Sequence, residues 1–462
     1  MSARRTLTAA LVGSVIAAGL AAGSAEAVTT KGCTGSSGMT ETVISETTVV
    51  ARAMSWVDAN TPYSHDCSSD TPVAGTYRLD CSGFVSMAWG LADMPNTGAM
   101  MGDSRFTHIA RSALRPGDAL DRYDSSVQHT GLILRWSSND NGQHRYADIA
   151  AESDFGVGTI LRTGIDLQTD SYWSTFTPLR YVRLVHDEGT ASVLDANSNR
   201  HVFAVDSSGA LRHMERFSGQ GTWQETSAPS SPVRLAGTPA VAYANGQFNV
   251  YALGTDQKVY ESVARSGQAF SAFAPVITAT KLAGGLAAVT VSGNVHLFAI
   301  GDDHVVRHYT KPASGSFGAP QGLGGDLVGT PAVTYHDGGY HLYALGTNRE
   351  VYSNTAQTGG SWSGWSSNGA GGSFDGGAGD VFNGVDHVYA VNTSGTAYQV
   401  TGSTAQSMGG TVTGTASGFW SGSQYEVYAE GTNGRLYGQS IQPGAQPTGS
   451  WTLITGVSGQ LN

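Results

Sequence analysis

Two observations set the fold class. Residues 46–186 hold two helical segments with apolar faces followed by alternating strands, and from His201 onward one motif recurs six times. Together they predict a multidomain chain, an α+β unit followed by an all-β propeller of six blades. Composition fits, because charged residues make up only 13% of the chain, about half the usual share. Gly contributes 62 of 462 residues, which suits a turn-rich β protein.

Residues 1–27 read as an export signal. Arg4 and Arg5 form a basic start, Leu7 to Gly23 an uncharged Ala-rich run, and Ala25-Glu26-Ala27 a small-x-small cleavage site. No later stretch is apolar over the roughly 18 residues a membrane helix needs. A secreted protein, extracellular or wall-associated and without stable membrane insertion, is therefore expected. The net charge of −11 argues against a nucleic-acid partner. Export places three cysteines in an oxidising setting, where a pair forms and one thiol is left over. Cys33 and Cys67 lie in polar loop sequence and Cys81 on a helix. Cys33–Cys67 is thus the expected disulfide, leaving Cys81 free.

Residues 28–45, rich in Thr, Ser and Gly, read as a linker. From Glu46 to Ala59, Val49, Val50, Ala53, Met54 and Val57 mark one apolar helix face, ended by Asn60-Thr61-Pro62. A second helix is predicted from Cys81 to about Asp93, with Phe84, Val85, Ala88, Trp89 and Ala92 on its apolar face. Asp80 is its N-cap. Cys81 then stands in the first turn, where the helix dipole favours an anion and a thiol should ionise more readily. The plainer reading of such a cysteine is a small buried residue.

Leu114 to Leu120 turns into a short strand, and Thr130–Trp136, Arg145–Glu152 and Phe176–Val185 give three more. Alternation puts Thr130, Leu132, Leu134 and Trp136 on one face and His129, Gly131 and Ile133 on the other. Tyr146, Asp148, Ala150 and Glu152 share a face of the next strand. Residues 187–198 read as a second, polar linker. A thiol nucleophile needs a base, and the base needs a group that holds its tautomer. His129, 48 residues after Cys81, is the candidate base, with Glu152 as its orienting partner and Asp148 as the alternative.

Asp80-Cys81-Ser82-Gly83-Phe84-Val85, Arg115-Pro116-Gly117-Asp118-Ala119 and His129-Thr130-Gly131-Leu132 resemble the NlpC-type cell-wall cysteine peptidases, over roughly residues 46–186. The resemblance implies a papain-like fold, Cys81 as nucleophile, His129 as general base, and no cofactor. It further implies hydrolysis of amide bonds in peptidoglycan stem peptides, commonly after γ-D-glutamate. The family's third polar residue, often His, Asn or Gln, falls near Glu152, so an acid there departs from the common pattern. By the same resemblance Tyr63, Asp80 and Ser82 line the substrate pocket, with Asp80 placed to pair with a free peptide amine. The order Cys then His separates the chain from permuted lipid acyltransferases, whereas cysteine–histidine amidases share it.

The recurring segments start at His201, Asn249, His296, His341, His387 and Glu426, at offsets of 48, 47, 45, 46 and 39 residues. Each is strand, turn, strand. Most are followed by an aromatic strand (Trp223, Phe270, Phe317, Trp362, Trp451) and preceded by another, such as the one ending at Tyr243. Four short strands per period make a propeller blade, and ring closure protects sheet edges better than a solenoid would. The repeats resemble fucose-lectin and tectonin-type propellers, which implies a glycan partner bound between blades. His201, His296, His341 and His387 share one register that Asn249 and Glu426 also occupy, so they read as packing, as do the tryptophans. No zinc-type Cys/His cluster, phosphate loop or EF-hand pattern occurs, and no metal is expected. The whole reads as a secreted, monomeric cysteine peptidase docked on glycan by its propeller. The alternatives are a lectin with an inactive papain-like domain, and an amidase or peptidase with a non-wall substrate.

Overall fold

The structure, a computed structural model, describes residues 36–137, 140, 143–227, 229–456 and 461. Its first helix, α1 (Glu46–Ala59), begins where the Ser45 hydroxyl accepts the Thr48 N–H at 3.2 Å and ends on Asn60 in the left-handed region. It buries Val49, Ala53 and Trp56, with the Trp56 ring 6.0 Å from Phe84.

Phe84 belongs to α2 (Cys81–Trp89), whose N-cap Asp80 accepts the Gly83 N–H at 2.7 Å. The helix stops at Trp89, short of the predicted Asp93, because Gly90 turns to φ +68° and its N–H caps the Ser86 and Met87 carbonyls. It is also buried on every side and not only along one stripe. Gly83 is required there, since a Cβ at that position would overlap the Arg78 carbonyl.

A short α3 (Thr97–Met100) leads to an antiparallel sheet of six strands, β1 (Phe106–His108), β2 (Ala119–Tyr123), β3 (Gln128–Trp136), β4 (Tyr146–Glu152), β5 (Thr159–Asp166) and β6 (Thr177–Tyr181). Their order is β1-β6-β2-β3-β4-β5. The sequence reading lacks β1, which is three residues long, and β5, an edge strand whose exposed middle hides its period. α2 packs on the face carrying Leu132, Leu134 and Ala150, while Ile133, Ile149, Trp173 and Phe176 fill the other. A bulge between Ile133 and Arg135 sends Trp136 to that second face, correcting its expected grouping with Leu132.

Neither linker is a linker over its described part. Ile44–Ser45 pairs in parallel with Leu184–Val185, and the Ser37 hydroxyl donates to the Leu91 carbonyl at 2.7 Å. In the segment read as the second linker, Thr190–Leu194 is the innermost strand of the first blade and Asp187 is fully buried. Its polar sequence misled because these polar groups are spent on buried hydrogen bonds.

Thr190–Leu194, Arg200–Val205, Leu211–Arg216 and Gln224–Thr226 form that blade, and five more four-stranded antiparallel sheets follow in the same pattern. Each innermost strand adjoins that of the next sheet, and the sixth (Val412–Trp420) adjoins the first, closing a six-bladed propeller. The closure combines an apolar cluster, with Val202 and Met214 against Phe419 and Leu436, and polar contacts. Arg200 grips Glu426 with two bonds of 2.6 and 2.7 Å, Arg216 adds a third contact at 3.3 Å, and Trp223 packs edge-on to Tyr428.

Gly237, Gly284, Gly329, Gly376 and Gly414 hold positive φ at matching bulges of the inner strands. A Cβ on any of them would crowd the carbonyl of the next ring member, ending with Gly414 against Glu188. The domain junction plugs this ring. The Asp187 carbonyl accepts the Thr238 and Thr330 hydroxyls at 2.7 and 3.0 Å, while its carboxylate accepts the Thr47 N–H of α1 at 3.0 Å. His186 meets Asp375 at 2.8 Å, and Arg349 donates to the Leu184 carbonyl at 2.7 Å. Among the described residues no helix is long and apolar enough to cross a membrane.

Candidate functional site

Cys81 is the free cysteine among the described residues and is buried, whereas Cys67 is held in a disulfide. The expected partner Cys33 lies outside the described residues. The backbone N–H groups of Ser82 and Thr130 lie close enough to the Cys81 sulfur to favour its thiolate, so the start of α2 comes near the start of β3 here. The expectation of a readily ionised thiol is corrected. Burial, then the Asp80 and Asp121 carboxylates, push the thiol up to about 12, outweighing the helix terminus.

His129 immediately precedes Thr130, and its ring packs 5.7 Å from Trp173, 6.1 Å from Tyr172 and 6.3 Å from Phe176. Burial, then Arg162, pushes the imidazole down to about 4. Thiol and imidazole are therefore both uncharged at neutral pH. Among the described residues no hydrogen bond joins them. The ring opens on a cavity of about 270 Å³ lined by Asp154, Arg162, Asp170, Tyr172 and Trp173.

Glu152 is fully buried on the α2 face of the sheet, the face opposite the His129 ring. Its Oε1 accepts the Thr159 hydroxyl, Oε2 has no partner, and burial pushes the carboxyl up to about 7. The structure thus does not bring it onto the imidazole. Asp148 is further removed. It is tied to Arg135 at 2.6 Å and to the Ser137 hydroxyl at 2.5 Å, and six strand residues of about 3.3 Å each separate Arg135 from His129.

Tyr63 lies half-buried, its ring 5.0 Å from Phe155, within the electrostatic reach of Cys81, Asp80 and Glu152. Asp80 is already engaged, accepting from the Arg78 guanidinium, from the Ser82 hydroxyl at 3.1 Å and from Gly83. Ser82 in turn accepts from Arg78 at 2.6 Å. A substrate amine would have to compete with Arg78 for Asp80.

Sequence reasoning missed Asp121. It is fully buried within electrostatic reach of Cys81, neither carboxylate oxygen has a hydrogen-bond partner, and burial pushes it up to about 7. The signal was present, since alternation in Ala119-Leu120-Asp121 places an acid on the same face as core Ala119. Because its folded value is raised, Asp121 contributes stability below about pH 4 that is lost as pH rises through about 7. Asp121→Asn should therefore unfold at higher temperature than wild type at pH 8, with no such gain at pH 4, read by thermal melts at both pH values.

In the propeller the recurring histidines join blades. His296 reaches Tyr340 at 3.0 Å and His387 reaches Tyr425 at 2.9 Å, each on the next blade. Trp362 packs with Phe298, His308 and Tyr340, and the Trp451 N–H donates to the Met408 carbonyl at 3.0 Å. Between the first two blades lies a cavity of about 510 Å³, with Phe248 and Phe270 beside Asp195, Asn199, Glu215 and Arg265.

No protein-family model and no curated protein matches the chain. Solved structures similar to it include a lectin from Burkholderia pseudomallei, at 16% identity over 71% of this chain and 95% of that one, with a TM-score of 0.45. AofleA from Arthrobotrys oligospora is 14% identical over 58% and 86%, at 0.43. A fungal lectin from Aleuria aurantia, described as a six-bladed β-propeller with a fucose recognition mode, is 15% identical over 59% and 96%, at 0.43. The six blades rest on the sheets themselves and not on these likenesses.

Proposed function

We propose that the protein is exported, hydrolyses peptide amide bonds with Cys81 as nucleophile and His129 as base, and holds its substrate surface through glycan bound by the propeller. The observation that carries this reading is the thiol of Cys81, the free cysteine among the described residues, at the start of α2 and close to the backbone N–H groups of Ser82 and of Thr130, the residue after His129. Both groups start uncharged; the His129 ring, which alternation places on the face of β3 away from α2, must first turn toward the sulfur, and the thiol proton then moves to the imidazole as sulfur attacks the carbonyl carbon. The imidazole then returns that proton to the leaving amine as the C–N bond breaks, and water hydrolyses the thioester. Stem peptides of peptidoglycan are the substrate class, following from the resemblance of the Asp-Cys-Ser-Gly-Phe and His-Thr-Gly motifs. For the propeller, the aromatic and polar lining of the cavity between blades one and two supports a sugar ligand.

A second reading, a lectin whose N-terminal domain is inactive, is favoured by one observation. The thiol is raised, the imidazole lowered, and no hydrogen bond links them. Mass analysis of muropeptides after incubation with the protein separates the two, since new stem-peptide fragments require the first reading. Alkylation gives an independent check. With the thiol raised to about 12, iodoacetamide should label Cys81 slowly at pH 7 and steadily faster toward pH 10, followed by mass spectrometry of the intact chain.

A further inference from the structure

The junction between blades four and five differs from the other five. His336 ends the innermost strand of blade four (Leu327–His336) and His341 lies on the strand after it (Gly339–Gly346). Asp386 opens the second strand of blade five (Asp386–Asn392), and Asp380 lies on that blade's innermost strand (Phe374–Phe382). At the position of Asp386 the other repeats carry Arg200, Phe248, Val295, Tyr340 and Tyr425. His336 Nε2 stands 2.9 Å from Asp386 Oδ1, and His341 Nδ1 stands 3.1 Å from Asp386 Oδ2. One ligand atom from each of the three side chains falls within 4.8 Å of the others.

We propose that His336, His341 and Asp386 bind one divalent transition-metal cation of the zinc class. Two imidazoles and one or two carboxylates are the donor set such cations favour. The second imidazole nitrogen of His336 is held by Asp337 at 3.0 Å, the carboxylate–histidine arrangement that turns the other nitrogen's lone pair toward a metal. His336 faces a carboxylate at each ring nitrogen, Asp337 at Nδ1 and Asp386 at Nε2, and a neutral ring that donates from Nδ1 leaves its Nε2 lone pair for a cation. The Thr334 hydroxyl reaches both Asp380 Oδ2 and Asp386 Oδ1 at 3.1 Å, so the two carboxylates share one neighbour. The remaining oxygen, Asp380 Oδ1, is buried without a hydrogen-bond partner, a vacancy costly for a carboxylate unless something positive fills it. His336 stacks between His341 at 3.7 Å and Phe382 at 3.6 Å, so binding one ion requires His341 to turn out of the stack until both lone pairs converge. His341 is partly exposed, which leaves an entry path.

The other such cluster among the described residues, His201, His213 and Glu215, is less suited. There His201 Nδ1 and His213 Nε2 bond to each other at 2.9 Å, which spends the nitrogens a metal would need. Sequence reading assigns no metal because the proposed ligands come from three strands of two blades.

The test uses the full chain, without a histidine tag and stripped with chelator. Titration with Co²⁺ alone should give one equivalent with the visible absorption of a low-coordinate nitrogen–oxygen site, displaced by Zn²⁺. Zn²⁺ should also raise the unfolding midpoint, and EDTA should return it. Asp386→Asn and His341→Ala should each abolish the absorption, Asp337→Ala should weaken binding by about 10–100-fold, and His201→Ala should leave it unchanged. Absence of the cobalt spectrum in wild type under excess metal overturns the proposal, and this reading needs no variant to fold. Equally, retained stoichiometric binding by the His336→Ala, His341→Ala double variant overturns it.

Discussion

Replacing Cys81 with alanine is expected to stop release of stem-peptide fragments, by roughly 10³-fold or more, while glycan capture is unchanged. The two readouts separate because the thiol lies in the α+β unit, on the sheet face covered by α2, and the sugar-sized cavity lies between blades one and two. Cys81→Ala removes one sulfur from a buried site without disturbing the Asp80 cap, whose partners are Gly83, Ser82 and Arg78. A folded variant is therefore expected, and its far-UV spectrum should overlay wild type. Undiminished fragment release by that variant would exclude Cys81 as nucleophile and leave the lectin reading standing. His129→Ala should reduce release to a similar degree. Glu152→Gln should reduce it far less, because Glu152 bonds Thr159 and not the His129 ring.

The second large effect is on folding. Gly414→Ala places a side chain at φ +64° and directly onto the Glu188 carbonyl. The left-handed backbone costs about 1–2 kcal/mol and the overlap about 1–3 kcal/mol more. The propeller's unfolding midpoint should drop by on the order of 10 °C. Gly444→Ala is the control, since Gly444 has φ +73° but a Cβ there meets nothing within 4 Å. Calorimetry of the two variants isolates the ring contact from the backbone term. Equal midpoints would mean that the glycine ring is not tightly closed.

The repeats made the propeller legible before any coordinates, because each blade contributes one strand–turn–strand unit of fixed length and the period survives even where His is replaced by Asn249 or Glu426. α1 was equally readable, through its Ser45 entry, apolar spacing and Asn60 exit. What escaped was set by distant partners. Asp187 reads as loop because it is polar, yet it is buried by Thr238, Thr330 and Thr47, which come from 51, 143 and 140 residues away. Cys81 and Thr130 could be matched to a family pattern. The electrostatic balance at the sulfur could not, since it depends on how deeply Asp80 and Asp121 are buried beside it. The bulge after Ile133 likewise left no mark in the alternation, and it alone moves Trp136 to the other face.

The Asp187 plug has a mechanical consequence. Two domains on a flexible tether would let the catalytic end wander through a volume around wherever the propeller is anchored. Here the Thr47 N–H, in the first turn of α1, sits on the carboxylate of the same residue whose carbonyl sits on the threonines of the inner ring. With the propeller fixed to a surface, the thiol is carried on a rigid arm and reaches only bonds at one set height and bearing from the anchor. Under the proposed function, spacing between an anchoring sugar and the cleaved bond would then be a selection rule in its own right, imposed by the length of the arm.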